Sequence, residues 1–318
     1  MNGIWITWEN QRRNKGISRA LGWKFYEIIS YKSAAYRYLL SSIETVLVIQ
    51  KEKPQIVAAQ NPSMVLAILV ILLRNILGYK VIIDAHNSGI FPLEGRSQLL
   101  MFFSKLLQRH ADLTLVTNER LKSVVESNRG KAFVLPDKIP DIPAVGVFPL
   151  EGNINIAYIC TFSEDEPYKE AIKVSGMLPE DVLIYFTGKY EGKIDIDSIP
   201  SNAKLLGFVP EQEYWSLLSS VDFVMDLTTR EGCLVCGAYE GIALSKPLIL
   251  SDTEALKSYF NMGCIYVAPR ADSIAYGIRK AIAKHNDLLS DIERLKVSLR
   301  TDWNNKLFHL NKVINSLC

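Results

Sequence analysis

Only five cysteines occur in 318 residues (Cys160, Cys233, Cys236, Cys264 and Cys318), an odd number too small to staple a chain of this size. Most stand among apolar neighbours, as small core residues do, and a reducing compartment is expected. The single C-x-x-C, Cys233 to Cys236, lacks a second pair or paired histidines, so no zinc site is expected and core packing is. No G-x-G-x-x-G follows a strand pattern, and no G-x-x-x-x-G-K-[ST] occurs at all. Those absences exclude a nicotinamide or flavin site and a P-loop, and no cofactor is expected. Long apolar runs are missing too: the longest, Met64 to Leu73, has 10 residues, half of what a bilayer span needs (about 20). The opening stretch Met1-Asn2-Gly3-Ile4-Trp5-Ile6-Thr7-Trp8 has no basic n-region or cleavage pattern, so a cytoplasmic location is expected.

Net charge is also nearly absent, at +2, but it is unevenly spread. Residues 1–150 hold 19 Lys and Arg against 11 Asp and Glu, a surplus of +8, while the remainder holds 17 against 23, a deficit of −6. A basic half suits phosphates or anionic lipid. The cations are scattered and no nucleic-acid reader motif occurs, so nucleic acid is not an expected partner.

What is present is a globular composition, 48% hydrophobic and 22% charged, with length for two cores. Short apolar runs alternate with longer helical patterns: Ile4 to Trp8 then 16–41, Ile56 to Ala59 then 63–77, Lys80 to Asp84 then 95–110, Leu113 to Thr117 then 119–128, and Ala132 to Leu135. Such alternation is the mark of parallel βαβ units. Four prolines between Pro136 and Pro149 interrupt it, and the pattern restarts at Ile154. The expected fold is α/β, two doubly wound Rossmann-like domains over 1–148 and 149–300 facing across a cleft. Trp303, Leu307, Leu310, Val313 and Ile314 recur at helical spacing, so the tail is expected to be a helix in need of a surface, and 301–318 is expected to return toward the first domain. Ligands of such sheets sit beyond the carboxyl ends of the strands.

The segment Arg230 to Leu248 holds the most chemistry. Glu240 is not needed for the apolar face of its helix, and a carboxylate near a strand's carboxyl end can accept two hydrogen bonds from a ribose diol. Here the chain resembles the B-type glycosyltransferases, two-Rossmann enzymes, and especially their family 4-like members. The resemblance rests on Thr161 to Pro167, Phe186-Thr187-Gly188-Lys189, Gly207-Phe208-Val209, Leu227 to Glu240 and Lys246-Pro247-Leu248-Ile249. It implies that Glu240 is the second acid of the paired-glutamate motif and holds the donor ribose. The first acid departs from the pattern, since position 232 is glycine and Glu231 lies nine places before Glu240. The diphosphate cations of the family are not evident in 161–170; Lys189 and Arg230, with Thr187 and Gly188, are the expected donor contacts beside the N-terminus of the 233–244 helix.

In the first half, Gln60-Asn61-Pro62 and Ile83-Asp84-Ala85-His86-Asn87 are similar to segments of the chitobiosyldiphosphodolichol β-mannosyltransferases and their bacterial relatives, which glycosylate lipid-linked sugars. His86, beyond a strand end, is the expected contact to sugar or acceptor or the base; Glu9 is the alternative base, and Asp84 reacts or orients the loop. Asn10, Arg12 and Arg13 are the expected acceptor contacts, because a guanidinium fork matches a pyrophosphate. The 16–41 pattern mixes Trp23, Phe25, Tyr26, Tyr31, Tyr36 and Tyr38 with Arg19, Lys24, Lys32 and Arg37, which suits either an interfacial helix or a tyrosine-rich core helix. The triplet Asp195-Ile196-Asp197 lies away from any strand's carboxyl end and is read as a solvated loop, not a metal site.

The implied activity is metal-independent transfer of a hexose from a nucleoside-diphosphate sugar to a polyprenyl-linked or other saccharide acceptor. Peripheral attachment at the inner face of a membrane and a role in polysaccharide or glycoconjugate assembly go with it. The alternatives are a nucleotide-sugar 2-epimerase of the same fold and a degenerate partner subunit of a transferase.

Overall fold

Residues 2–31, 33–61 and 63–317 are described by the computed structural model; Met1, Lys32, Pro62 and Cys318, all named above, lie outside the described residues. The chain divides into Met1–Lys138 with Asp302–Cys318, and Ile139–Thr301.

The first unit runs β1 (Gly3–Thr7), α1 (Arg12–Ala20), β2 (Lys24–Glu27), α2 (Ala34–Glu52), β3 (Ile56–Asn61), α3 (Met64–Leu77), β4 (Lys80–Ala85), α4 (Asn87–Ile90), α5 (Gln98–His110), β5 (Leu113–Val116), α6 (Glu119–Ser127) and β6 (Ala132–Val134). Its sheet is parallel throughout, in the order β2-β1-β3-β4-β5-β6. Every residue of β1 and β3 is buried, which is why these strands read as continuous apolar runs rather than alternating ones. Ile4, Ile6, Val57 and Ala59 feed the core on one face; Trp5, Ile56 and Ala58 feed the core on the other. Onto the second of these pack Trp303, Leu310 and Ile314, and Trp303 Nε1 donates to Pro136 O at 3.1 Å.

One expected element is corrected. The 16–41 pattern is not one helix: α1 ends at Ala20 and is capped by Leu21, Gly22 turns the chain at φ +69°, and Lys24 to Glu27 pair with Ile4 to Thr7 as an edge strand before α2 begins. Four residues with charged ends hold too little alternation to be told from an amphipathic helix.

The second unit runs β7 (Ile154–Tyr158), α7 (Tyr168–Ser175), β8 (Val182–Thr187), β9 (Ala203–Gly207), α8 (Glu211–Ser220), β10 (Phe223–Asp226), α9 (Cys236–Ala243), β11 (Leu248–Ser251), α10 (Glu254–Tyr259), β12 (Cys264–Val267), α11 (Ala271–Ala283) and α12 (His285–Asn315) as far as Thr301, the rest of α12 belonging to the first unit. Its parallel sheet has the order β12-β11-β10-β7-β8-β9. The proline-rich stretch is anchored here: Ile139 is buried in this unit's core, Phe148 and Leu150 pack on it, and Gly146 N and Phe148 N donate to Ser216 Oγ and Ser220 Oγ. Cys160 is buried and Cys233 and Cys264 are half-buried, but Cys236 is exposed at the first residue of α9, so core packing does not describe it. Asp195 Oδ1 accepts from Asp197 N in a short exposed turn.

Candidate functional site

In the second unit the strand order reverses between β7 and β10, and a reversal leaves a crevice at the strands' carboxyl ends. The loop leaving β7 turns at Phe162, whose φ is +57° and whose ring packs on Tyr168 and Tyr190 at 5.1 and 6.3 Å. The N–H groups of Thr161 and Ser163, on either side of this left-handed residue, both donate to Glu166 Oε2, at 2.8 and 2.9 Å. Converging backbone N–H groups form an anion-binding concavity, and here a carboxylate of the same loop fills it. A depression of about 300 Å³ lies alongside, lined by Glu164, Glu166, Pro167 and Tyr168 among others.

Cations and acids ring this loop. Lys193 Nζ donates to Thr161 O at 2.8 Å, a contact that no local pattern announces across 32 residues. Asp165 joins the loop to the end of β10, accepting from Thr228 Oγ1 at 3.0 Å and pairing with Arg230 at 3.3 Å. Gly188 follows β8 at φ +97°, where a Cβ would lie 2.1 Å from Cys160 O; only glycine permits this approach. Thr187 beside it is buried and donates to Tyr158 O, while Lys189 is exposed. Glu240, on α9, is half-buried and accepts from Tyr214 Oη on α8. Glu231 is exposed in the turn before α9.

Asp226 closes β10 at the centre of this group. It is buried, its Oδ2 accepts from Gly237 N at 2.8 Å, and Glu166, Glu240 and Asp165 all act on it electrostatically. Burial, aided by these acids and opposed by the Gly237 N–H, pushes its pKa well above the ordinary carboxylate range. Tyr158 Oη, also raised mainly by burial, is buried without a hydrogen-bond partner among the described residues. The folded chain therefore binds the Asp226 proton more tightly than the unfolded chain does. Its contribution to stability is complete below the ordinary pKa of ~4 and is lost as pH rises through the raised folded value. Asp226→Asn keeps an acceptor for Gly237 and carries no charge, so it is expected to flatten that loss. Urea unfolding at intervals from about pH 5 to about pH 8 measures it, and a slope unchanged from the parent chain would count against a raised Asp226 pKa.

The first unit reverses strand order between β1 and β3. There Thr7 Oγ1 bonds to Gln60 Oε1, and Gln60 Nε2 donates to Glu9 Oε2 at 3.1 Å. At the end of β4, next to β3, Asp84 accepts from Arg13 Nε at 3.1 Å and Nη2 at 3.0 Å. Arg13 also donates to Asp137 at 2.8 Å and to Leu135 O at 2.7 Å. Its side chain is 6% exposed and that of Asp84 1%. Burial opposes the charge on Arg13, and Asp84 and Asp137 more than reverse this, so its pKa is raised. His86 Nε2 lies 3.7 Å from Asp84 Oδ2, buried and without a hydrogen-bond partner among the described residues.

Of the residues singled out in the sequence, the structure thus gathers Glu9, Asp84 and His86 at one end of the first sheet. In the second it places Thr187 at the last residue of β8, Gly188 just after it, Arg230 in the loop that follows β10, and Glu240 on α9. Asn10 and Arg12 are exposed at the start of α1, whereas Arg13 spends its fork inside the chain. Sequence reasoning passed over Lys193, Tyr214 and Asp226, and gave Gln60 no role of its own. For Asp226 a signal existed, since an acid closing the apolar run Phe223-Val224-Met225 sits at a strand's carboxyl end.

No family model matches the chain, and no curated protein does. Solved structures do. Sucrose-phosphate synthase from Thermosynechococcus elongatus superposes with a TM-score of 0.76 at 12% identity, over 100% of this chain and 99% of that one. HepE from Anabaena, in complex with UDP, gives 0.73 at 12% identity over 99% and 100% of the two chains. UDP-GlcNAc 2-epimerase from Methanocaldococcus jannaschii gives 0.57 at 13% identity over 88% and 92%. The chain has the two-Rossmann α/β fold, the B-type architecture, across its full length.

Proposed function

We propose that the chain transfers a hexose from a nucleoside-diphosphate sugar to a lipid-linked or other saccharide acceptor, at the cytoplasmic face of a membrane, in polysaccharide or glycoconjugate assembly. The observation that carries this reading is the pairing, at the β7/β10 reversal, of a carboxylate held by a tyrosine with a concavity of backbone N–H groups. Glu240 accepts the ribose hydroxyls. The N–H groups of Thr161 and Ser163, with Lys193, Lys189 and Arg230, take the diphosphate once Glu166 withdraws. Thr187 and Gly188 line the same edge, and Glu231 reaches the sugar.

In the first unit, His86 meets the acceptor or takes its proton, with Glu9 as the alternative base. Arg13 and Asp84 position that loop, and Arg12 and Asn10 meet the acceptor. The acceptor oxygen bonds to the anomeric carbon as the nucleoside diphosphate leaves, and its proton passes to the base. Cations and N–H groups neutralise the leaving charge, which is why the reading calls for no metal. The fold likeness to HepE, solved with UDP, supports a uridine nucleotide as the first donor to try.

The test is thermal unfolding with UDP, GDP, dTDP and CMP, followed by chromatography of UDP-sugar incubations with and without saccharide acceptors. One nucleoside diphosphate at about 100 times its Kd is expected to raise Tm by about 5 °C. Epimerisation of UDP-N-acetylglucosamine without acceptor would replace transfer by the 2-epimerase reading. No stabilisation by any nucleotide would leave a non-catalytic partner subunit.

A further inference from the structure

Three neighbouring helices of the first unit carry apolar side chains on their solvent side; α2 packs on α3, and α3 on α5. Helix α3 is apolar nearly all round, since of its 14 residues only Arg74 and Asn75 are polar. Leu66, Ala67 and Val70 are buried, yet Leu72 and Ile76 are 68% and 78% exposed. On α2 a second exposed stripe runs through Tyr36, Leu40, Ile43 and Leu47, and on α5 a third runs through Leu99, Phe102 and Leu106. In the turn before α5, Leu93 is also exposed, at φ +49°, a conformation that residues other than glycine rarely adopt. A helix apolar on all sides belongs in a core or against lipid, and a contiguous apolar surface marks an interaction site.

The charge around the patch selects the occupant. Residues 34–52, 64–77 and 91–110 hold six cations (Arg37, Lys51, Arg74, Arg96, Lys105 and Arg109) against three acids (Glu44, Glu52 and Glu94), a surplus of +3. Asp112, just beyond, lies 3.7 Å from Arg74. Tyr31, Tyr36 and Tyr38 stand exposed at one end of α2, with Arg37 over the Tyr38 ring at 5.1 Å. Phenol rings and cations beside an apolar stripe match the headgroup layer. A two-fold contact with a second copy would instead set the cationic surplus against itself. Helix α3 reaches only about 21 Å, short of the bilayer's ~30 Å, so such a surface lies along the membrane rather than through it. Among the described residues, no helix is long and apolar enough to cross a membrane.

We propose that α2, α3 and α5 form the face by which this chain lies on an anionic phospholipid surface. Leu72, Ile76 and Phe102 enter the acyl boundary, and the surrounding lysines and arginines meet lipid phosphates. The proposal rests on the peripheral location suggested above but not on the transfer chemistry, and it is tested without nucleotide, so that the two readings can fail separately.

The full chain is sedimented with phosphatidylcholine vesicles, with and without about 30% phosphatidylglycerol. Binding to the anionic vesicles is expected, weakened by salt, and cut about tenfold or more by the exposed double change Leu72→Glu/Ile76→Glu. A second variant, Phe102→Glu on another helix, is expected to act in the same direction, with circular dichroism confirming an intact fold. Absence of binding to anionic vesicles, or binding that neither variant alters, would overturn the assignment. So would a concentration-dependent dimer that Leu72→Glu/Ile76→Glu dissolves, in a chain that ignores vesicles.

Discussion

Alanine at Glu240 is expected to lower kcat/KM for the nucleotide sugar by about 100-fold or more, equivalent to about 2.7 kcal/mol. Two hydrogen bonds from a ribose diol to a carboxylate contribute about 1.5–3 kcal/mol each, and both vanish with the side chain. The fold should survive, because Glu240 is half-buried and its bond to Tyr214 engages a single hydroxyl. Tyr214→Phe keeps the carboxylate but loses its anchor, so a smaller loss, largely in KM, is expected. Initial rates over a range of donor concentrations, with Tm as the control, measure both. A Glu240→Ala enzyme within about threefold of the parent, a difference of under 1 kcal/mol, would remove the carboxylate from the site.

The largest effect on stability is expected at Arg13. Arg13→Ala strips Asp84 of its bidentate partner and leaves an acid, 1% exposed, with no compensating charge from that side. Breaking a buried pair in this way costs about 3–5 kcal/mol, and for a chain of this size Tm should fall by about 5–8 °C. Changing both members to apolar residues, Arg13→Met with Asp84→Leu, should recover much of the loss, because the uncompensated charge goes too. Arg13→Lys should fall between, since an ammonium cannot serve Asp84, Asp137 and Leu135 O at once. Chemical unfolding of the three variants decides the matter: equal stability of Arg13→Ala and the parent would show that the pair contributes nothing to stability.

Much of the architecture was legible because buried parallel strands leave an unambiguous trace. Gly3 to Thr7 and Ile56 to Asn61 bury every residue, and their apolar runs say so directly. The edge strand Lys24 to Glu27 left no such trace, since an edge strand is half solvated and four residues long. Side chains on the loops were legible only as types. That Glu240 and His86 lie beyond strand ends follows from counting along the chain. That Tyr214 holds Glu240, or that Arg13 folds onto Asp84 across 71 residues instead of facing solvent, follows from sheet order, which no local window contains. The acidic stretch after β7 shows no cation in its own sequence, because the one it recruits, Lys193, comes from beyond the next strand.

The Glu166 carboxylate that sits on Thr161 N and Ser163 N holds the donors that the proposed function assigns to an incoming diphosphate. For a diphosphate to use those donors, binding has to be an exchange, one anion ejected as another arrives. The ejected group stays tethered three residues from Ser163, a competitor at an effective concentration of about millimolar or above. If the diphosphate binds there as proposed, its grip is capped, and the spent diphosphate is displaced from within rather than escaping slowly.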